Sequence, residues 1–127
     1  MITIKTDDNI LEINEFFKKN DKSFDLENSI IMSAKDKDEI LAAGALSMKS
    51  YHVYLDCVAP LGNTPEELSL VLGLMKSLLN LADLRGIKTI YGSNIEMARL
   101  YKLLRFKETE NSEYELSLEG YFSTECE

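Results

Sequence analysis

The stretch VAPLGNTPEELSLVLG, residues 58–73, joins the end of a predicted strand to the start of a long apolar helix. Thr64 is a suitable N-cap, Pro65 fits the first helical position, and Glu67 completes a capping box three residues after Thr64. Backbone N–H groups at such a helix start favour an anion, often a phosphate. Glu66 and Glu67 instead bring two carboxylates into the first turn. The stretch is therefore open to two interpretations, a phosphate site or a helix start stabilised by its own acidic residues.

The helix that follows ends near Gly86, where a residue with a left-handed backbone is expected. Its apolar residues form two stripes, which indicates burial on more than one side. Packing in the core explains both stripes, and so does contact with a second copy of the chain in a homodimer. The stripes are Leu68, Val71, Leu72, Met75, Leu79 and Ala82, and Leu70, Leu74, Leu81 and Leu84.

Hydrophobic patterns on either side of this helix predict the order β-α-β-β-β-α-β-α-β-β. Three strands before the helix are joined by short polar turns and form an antiparallel meander, whereas the strand after it can run parallel to the last of them. We expect an α/β (α+β) fold with a mixed, mostly antiparallel sheet. It forms a single domain, residues 1–127, with a polar connection DKSFDLEN at 21–28 and a loose tail at 122–127. The predicted strands are MITIKT, SIIMSAK, EILAAGALSMK, YHVYLDCVA, KTIYGS, FKETE and EYELSLEGYF.

The net charge is −8 and the sequence pI is near 4.7. This balance disfavours a nucleic-acid partner, which needs a basic face, and it disfavours an anionic membrane surface. No apolar run approaches the roughly 20 residues that cross a bilayer, and the first residues show no signal peptide. One histidine and two separated cysteines offer no metal-ligand spacing. We predict a cytoplasmic protein with no nucleic-acid, membrane or metal partner.

The segment NIEMARLYKLLRF, residues 94–106, follows the fifth predicted strand and carries a spaced set of Asn94, Ala98, Tyr101 and Phe106. This set resembles a motif of the GNAT superfamily of N-acetyltransferases, in which Asn, Ala and Tyr precede a Gly-Phe pair. Arg105 replaces the glycine of that pair. The stretch LAAGALSMKSYHVYLDCVAP is similar to the third and fourth strands of the family. The resemblance covers residues 2 to about 122 and implies the GNAT fold.

The resemblance also implies that acetyl-CoA binds where the fourth and fifth strands separate, with its pyrophosphate at the start of the following helix. The family's signature there is Gln or Arg, two residues, Gly, one residue, then Gly or Ala. Counted from the end of the fourth strand, its key positions fall on Asn63, Glu66 and Leu68. When the three key positions are counted back from Gly86 instead, they again hold neither a basic residue nor a glycine. The pyrophosphate motif is therefore degenerate.

Four residues are predicted to contact the cofactor. The resemblance places the backbone of Val58 beside acetyl-CoA and the side chain of Asn94 on its pantetheine arm. Gly62 and Asn63 could form a small concavity of N–H groups that holds phosphate by another route. The alternative for Asn94 is structural, because Ser93 and Glu96 predict a capping box that opens a helix at this point.

Three residues are predicted to take part in proton transfer. Tyr101 matches the tyrosine that many GNAT members use as an acid, although apolar neighbours at helical spacing also suit a core residue. Strand alternation places His52, Tyr54 and Asp56 on one face. His52 or Asp56 could act as the base, since histidine exchanges protons near neutral pH. The alternative is a solvated strand face without chemistry.

Two functions follow from these observations. The first is acetyl transfer from acetyl-CoA to an unknown amine, on a small molecule or a peptide. The second is a catalytically inactive GNAT-like module that binds a partner or ligand without turning over acetyl-CoA, as the missing phosphate signature suggests. Similarity of fold does not decide between them.

Overall fold

Seven strands form one mixed sheet in the order β1-β2-β3-β4-β5-β7-β6. The structure is a computed structural model that describes residues 1–22 and 29–122. Among the described strands, neighbours are antiparallel except for the parallel pair β4 and β5. The strands are β1 (Ile2–Thr6), β2 (Ser29–Asp36), β3 (Glu39–Lys49), β4 (His52–Ala59), β5 (Thr89–Gly92), β6 (Lys107–Glu108) and β7 (Tyr114–Ser117). The helices are α1 (Ile10–Lys19), α2 (Pro65–Leu84) and α3 (Ala98–Leu103), with a 3₁₀ turn at Ile95–Met97 directly before α3.

This order confirms the predicted α/β (α+β) fold and the mostly antiparallel sheet. The last helix differs in detail, because the helix predicted over 94–105 begins as the 3₁₀ turn and is α-helical only from Ala98. The predicted polar connection at 21–28 and the tail at 122–127 lie mostly outside the described residues. Phe122 itself packs against Tyr121, with ring centroids 4.9 Å apart, and both rings contact the core.

The sheet lies between two unequal helical layers. α2 and α3 cover one face and form the larger apolar cluster, whereas Ile13 and Phe17 of α1 are buried on the other face against β3 and the end of β4. The residues of both α2 stripes are buried or half-buried in the larger cluster, except Leu84, which is 75% exposed. Fully burying a leucine contributes roughly 1.5–3 kcal/mol. Core packing therefore accounts for the two stripes, and the homodimer stays a prediction.

A β-bulge interrupts β4 between Tyr54 and Cys57, where β3 spans the same interval with one residue fewer. Because of the extra residue, the β4 side chains after the bulge point to the opposite face of the sheet from the one that regular alternation predicts. Leu55 packs with α2 in the larger cluster, whereas Cys57 packs with α1. The predicted alternation, which placed Leu55 and Cys57 on the same face, is therefore wrong. The bulge also takes Asp56 out of the regular alternation, at the edge shared with β5.

The start of α2 shows half of the predicted capping box. Thr64 Oγ1 accepts a hydrogen bond from the Glu67 N–H at 3.2 Å. The Glu67 carboxylate accepts from the Asn63 N–H, at 3.3 Å, instead of the Thr64 N–H that a capping box requires. At the other end of α2, Gly86 has the predicted left-handed backbone, with φ of +82°. Glu67 thus engages the loop that was predicted to hold a phosphate.

Arg105 follows α3 in the left-handed region, with φ of +72°, at the position where the resembled family has glycine. We predict that Arg105→Gly raises the free energy of unfolding by about 0.5–1 kcal/mol. A side chain in this region costs roughly 1–2 kcal/mol, and the freedom of glycine in the unfolded chain offsets about 0.4–1 kcal/mol of the gain. Urea denaturation measures the change. Arg105→Ala is the matched control, because it keeps the strain; an equal gain there would contradict the explanation.

Candidate functional site

β4 and β5 lie side by side over a short distance and then separate. Beyond their last paired residues β4 continues to Ala59, whereas β5 ends at Gly92 and the chain enters the 3₁₀ turn. We call the opening between residues 55–59 and the segment after Gly92 the β4–β5 cleft. The separation of these two strands is the feature at which the family resemblance places acetyl-CoA. The paired residues are Val53 with Ile90 and Tyr54 with Tyr91.

Hydrogen bonds to Asp56 close the inner end of the β4–β5 cleft. The Asp56 carboxylate accepts from the Ser93 N–H at 2.7 Å, from the Ser93 hydroxyl, and from the Tyr101 hydroxyl at 2.9 Å. Its backbone carbonyl accepts from the Asn94 side-chain amide at 2.9 Å. Asp56 is 9% exposed, and each hydrogen bond to such a charged group contributes about 1.5–3 kcal/mol. We call these four residues the Asp56 cluster.

Tyr101 is fully buried at the base of the cleft. Its ring lies so close to the backbone of Gly92 that a Cβ at that position would overlap ring carbons. Its hydroxyl has one proton and two oxygen acceptors in reach, the Leu55 carbonyl at 2.8 Å and the Asp56 carboxylate, with the weaker acceptor Met97 Sδ at 3.9 Å. Burial raises the pKa of the Tyr101 phenol well above its ordinary value, and the neighbouring Asp56 charge raises it further. The phenol is therefore protonated at neutral pH and acts as a hydrogen-bond donor.

The loop between β4 and α2 forms the outer lip of the cleft. Gly62 adopts a left-handed backbone, with φ of +79°, and the next N–H, that of Asn63, is held by Glu67. Arg99 of α3 reaches across the cleft and donates from Nη2 to the Gly62 carbonyl. A positive charge therefore lies at this lip, although it comes from a different element than the family signature would supply.

A second contact crosses the mouth of the cleft farther out. Lys22, just after α1, forms an ion pair with Glu96 of the 3₁₀ turn, with 2.7 Å between Nζ and Oε1. Beside this pair lies a cavity of about 260 Å³ between the end of α1 and the end of β4, lined in part by Lys22, Pro60 and Asn63. Two basic side chains, Lys22 just after α1 and Arg99 of α3, thus flank the opening.

His52 lies at the opposite end of β4 from the cleft. Its exposed ring packs against Tyr91, with ring centroids 4.7 Å apart. Four residues at 3.3 Å each place it at most about 13 Å from Asp56 along the strand. His52 therefore does not join the Asp56 cluster, and any proton exchange between them requires intervening water.

The predicted site residues are only partly brought together. Asp56, Asn94 and Tyr101 are in direct hydrogen-bond contact. Gly62 and Asn63 form the outer lip, as described above. The side chain of Val58 is buried under α2, so that its backbone alone can contribute to binding. His52 stands apart from all of these.

Three residues of the site, Gly92, Ser93 and Arg99, were not predicted from the sequence. The capping box of Ser93 with Glu96 is wrong, because the Asn94 side chain accepts from the Glu96 N–H at 3.1 Å while both donors of Ser93 turn to Asp56. Gly92 was assigned only to a strand, although a glycine at a strand end signals close approach of another group. Arg99 carried no signal, since nothing in a helical pattern shows which loop a side chain crosses to.

Within residues 1–22 and 29–122, no group of three or more His, Cys, Asp or Glu side chains could hold a metal ion. No helix in this described part is long and apolar enough to cross a membrane.

Comparison with known proteins identifies the fold. No family model matches the sequence, and no curated protein matches it. Several solved structures do match this chain. An acetyltransferase of the GNAT family from Staphylococcus aureus Mu50 is 14% identical, with a TM-score of 0.71 over 93% of this chain and 99% of that chain. The ribosomal-protein-S18-alanine N-acetyltransferase of Escherichia coli is 16% identical, with a TM-score of 0.65 over 91% and 89%. The E. coli protein YhhK, bound to coenzyme A, is 15% identical, with a TM-score of 0.65 over 92% and 98%.

The chain therefore has the fold of the GNAT acetyltransferases, and the resemblance seen in its sequence is confirmed at the level of fold. At these identities the likeness does not by itself assign an activity.

We predict that Gly92→Ala lowers the free energy of unfolding by about 1–3 kcal/mol, because the added Cβ would overlap the Tyr101 ring and displace it from Asp56. In a Tyr101→Leu background, the ring is gone and the same substitution should cost much less. A double-mutant cycle by chemical denaturation compares the two costs. Equal costs in both backgrounds would show that Tyr101 is not the group Gly92 accommodates.

Proposed function

We propose that this protein binds acetyl-CoA in the β4–β5 cleft and transfers the acetyl group to an amine on a small molecule or peptide. The observation that carries the proposal is the separation of β4 from β5 beside the buried hydroxyl of Tyr101. Proteins of the same fold support it, since one is bound to coenzyme A and another is an alanine N-acetyltransferase by name.

The outer lip offers a partial fit to a diphosphate. Arg99 supplies the positive charge that the degenerate signature lacks, and a guanidinium has five N–H donors, so it can bond a phosphate oxygen while keeping the Gly62 carbonyl. The Asn63 N–H is a further donor, but Glu67 holds it. A phosphate must therefore displace the Glu67 carboxylate before it can use this N–H group.

The chemistry needs two proton movements. The neutral amine nitrogen attacks the thioester carbonyl carbon, a C–N bond forms and the C–S bond breaks. The amine gives up one proton, for which Asp56 in the cleft is the nearer candidate base, whereas His52 could act only through water. The thiolate gains one proton, and the Tyr101 hydroxyl would donate a hydrogen bond to it after turning from the Leu55 carbonyl and the Asp56 carboxylate.

The state of Tyr101 limits its role. Its pKa is raised well above the ordinary value by burial and by Asp56, whereas a free thiol titrates near 8.5. Complete proton transfer from the phenol to a thiolate would therefore run uphill. We assign to Tyr101 the stabilisation of the leaving sulfur by a hydrogen bond, with the final proton coming from water.

The second candidate function is a GNAT-like binding module that does not turn over acetyl-CoA. It is favoured by a specific observation: the polar groups of the cleft already bond to one another. Asp56 accepts from three donors, and the Asn63 N–H donates to Glu67. The cytoplasmic location, the homodimer and the absence of a nucleic-acid partner remain predictions from the sequence under either function.

We predict that acetyl-CoA raises the free energy of unfolding of the protein by about 2.7 kcal/mol at 100 times its Kd.

Tyr101→Phe should reduce turnover while leaving the Kd for acetyl-CoA nearly unchanged, because the hydroxyl is needed only when the sulfur departs. Thermal-shift and calorimetric titration measure binding, and release of coenzyme A measures turnover. Absence of any shift at millimolar acetyl-CoA would overturn the proposal. Binding without turnover on a panel of amines would select the second candidate.

We further predict that Glu67→Gln tightens coenzyme A binding about fivefold, close to 1 kcal/mol. The substitution weakens the bond to the Asn63 N–H and removes a charge that repels phosphate. Glu66→Gln is the matched control, because it removes the same charge from an exposed neighbouring side chain that lacks this bond. Calorimetry should show a clearly smaller effect for Glu66→Gln. Equal gains would mean that only overall charge matters at this lip.

A further inference from the structure

A cavity lies at the outer edge of the sheet, beside the two-residue strand β6. Its volume is about 430 Å³, and the end of α3, β6 and β7 form its walls. In the sheet order, β5 and β7 separate β6 from β4, which at about 4.8 Å per strand places β6 roughly 14 Å from β4. We call this space the edge cavity. It is lined by Arg105, Lys107, Thr109, Glu115, Leu116 and Ser117.

The way in which α3 ends creates the gap at this edge. The Arg105 N–H donates to the Lys102 carbonyl at 3.1 Å, and Arg105 turns the chain out of the helix with its left-handed backbone. β6 therefore begins only at Lys107, which pairs with Glu115. Ser117, two residues farther along β7, has no β6 residue opposite it.

The main chain of β7 offers a free donor at this gap. The N–H of Leu118 donates to the carbonyl of Lys88, the residue before β5, at 2.8 Å. Because the main-chain groups of an antiparallel strand alternate between its two edges, those of Ser117 point away from β5 and toward the gap. Within residues 1–22 and 29–122, no backbone carbonyl on that side accepts from the Ser117 N–H.

The charges around the edge cavity are not fully matched. Lys107 and Glu115 lie opposite each other and share a face of the sheet, so their charges partly offset one another. In the described part of the chain, Arg105 forms no ion pair, and the hydroxyls of Thr109 and Ser117 have no hydrogen-bond partner. A positive charge and two hydroxyl donors are therefore uncommitted here, in a chain whose net charge is −8.

Arg105 occupies this position at a cost to folding. Its φ of +72° is in the region that a side chain disfavours and that glycine adopts freely. Backbone strain of this kind clusters where the side chain has a function, because a simple substitution would otherwise relieve it. The strain and the uncommitted guanidinium thus belong to the same residue, at the mouth of the same cavity.

We propose that the edge cavity binds the phosphate group of a small phosphate ester. The planar guanidinium of Arg105 can donate two parallel hydrogen bonds to phosphate oxygens, and Lys107 adds a second cation. The N–H and hydroxyl of Ser117 supply further donors for the three acceptor oxygens of the phosphate. The two cations outnumber the single carboxylate of Glu115. The site shares no residue with the β4–β5 cleft and does not depend on the proposed function.

The test titrates the full chain with glycerol 3-phosphate at neutral pH and constant ionic strength, followed by NMR of the backbone amides. Glycerol is the neutral control, and acetate is the carboxylate for comparison. We expect shifts at Ser117 and the amides of β6, with the phosphate ester bound more tightly than acetate. No binding at millimolar concentration, equal affinity for acetate, or shifts confined to the β4–β5 cleft would overturn the inference.

Arg105→Gly should weaken binding of glycerol 3-phosphate about fivefold or more, because a charge-assisted, two-pronged contact is lost. Glycine relieves the strained backbone, so the weaker binding would not reflect a loss of structure. Lys102→Ala is the matched control, since it removes the same charge from an exposed residue of α3 that does not line the cavity. Equal weakening by the two variants would mean that only net charge is sensed, and the site would be rejected.

The acidic wall of the cavity gives an independent measurement. Glu115→Gln should tighten binding of glycerol 3-phosphate about two- to fivefold, because a like charge is removed and Lys107 loses its counter-charge. Glu119→Gln removes the same charge from an exposed residue that does not line the cavity. The same gain in both variants would contradict a phosphate bound beside Glu115. None of these titrations contains acetyl-CoA, so their outcome and that of the proposed transferase are decided separately.

Discussion

The Asp56 carboxylate joins two parts of the sheet that the backbone no longer connects. Beyond Tyr54 and Tyr91 there are no further pairs between β4 and β5 in the described chain, and the bonds from Ser93 and Tyr101 to Asp56 take the place of the ladder. Hydrogen bonds to a buried carboxylate are individually stronger than backbone pairs exchanged for water. This side chain, together with the core packing of Met97, Leu100 and Tyr101, fixes the position of the 3₁₀ turn and of α3.

The contacts that close the cleft fall into two kinds. In the Asp56 cluster, Asp56 and Tyr101 are buried whereas Ser93 is exposed, and losing the Tyr101 hydroxyl would leave the buried carboxylate without one of its partners, which is costly. Farther out, the exposed Arg99 donates to the Gly62 carbonyl, and the exposed Glu96 pairs with Lys22; a partly exposed ion pair contributes little. A ligand that enters the cleft can therefore exchange the outer contacts at small cost while the inner ones stay in place.

The sequence was sufficient for the fold and only partly for the site. Periodicity, the Thr64 cap and the Gly86 terminus predicted the order of the elements and the ends of α2, because each is a local property of a short segment, whereas the predicted last strand, 113–122, is a strand only over Tyr114–Ser117. The partners of Ser93 and Arg99 were not predictable, since they lie on elements distant in the chain. Glu67 was recognised as an acidic residue of the first turn, but its bond to Asn63 depends on the path of the preceding loop.

The predicted strand alternation of β4 failed at its bulge, which lies at the site itself. In a regular strand, successive side chains point to opposite faces of the sheet. In β4 they would therefore pack alternately against the α1 layer and the α2 layer along its whole length. Because β4 contains one extra residue, its side chains change layers halfway along the strand, and the Asp56 carboxylate bonds to Ser93 and to Tyr101 of α3. Deleting the extra residue would make β4 a regular strand. Asp56 would then point to a single helical layer, and the opening between β4 and β5 would lose the carboxylate at its inner end.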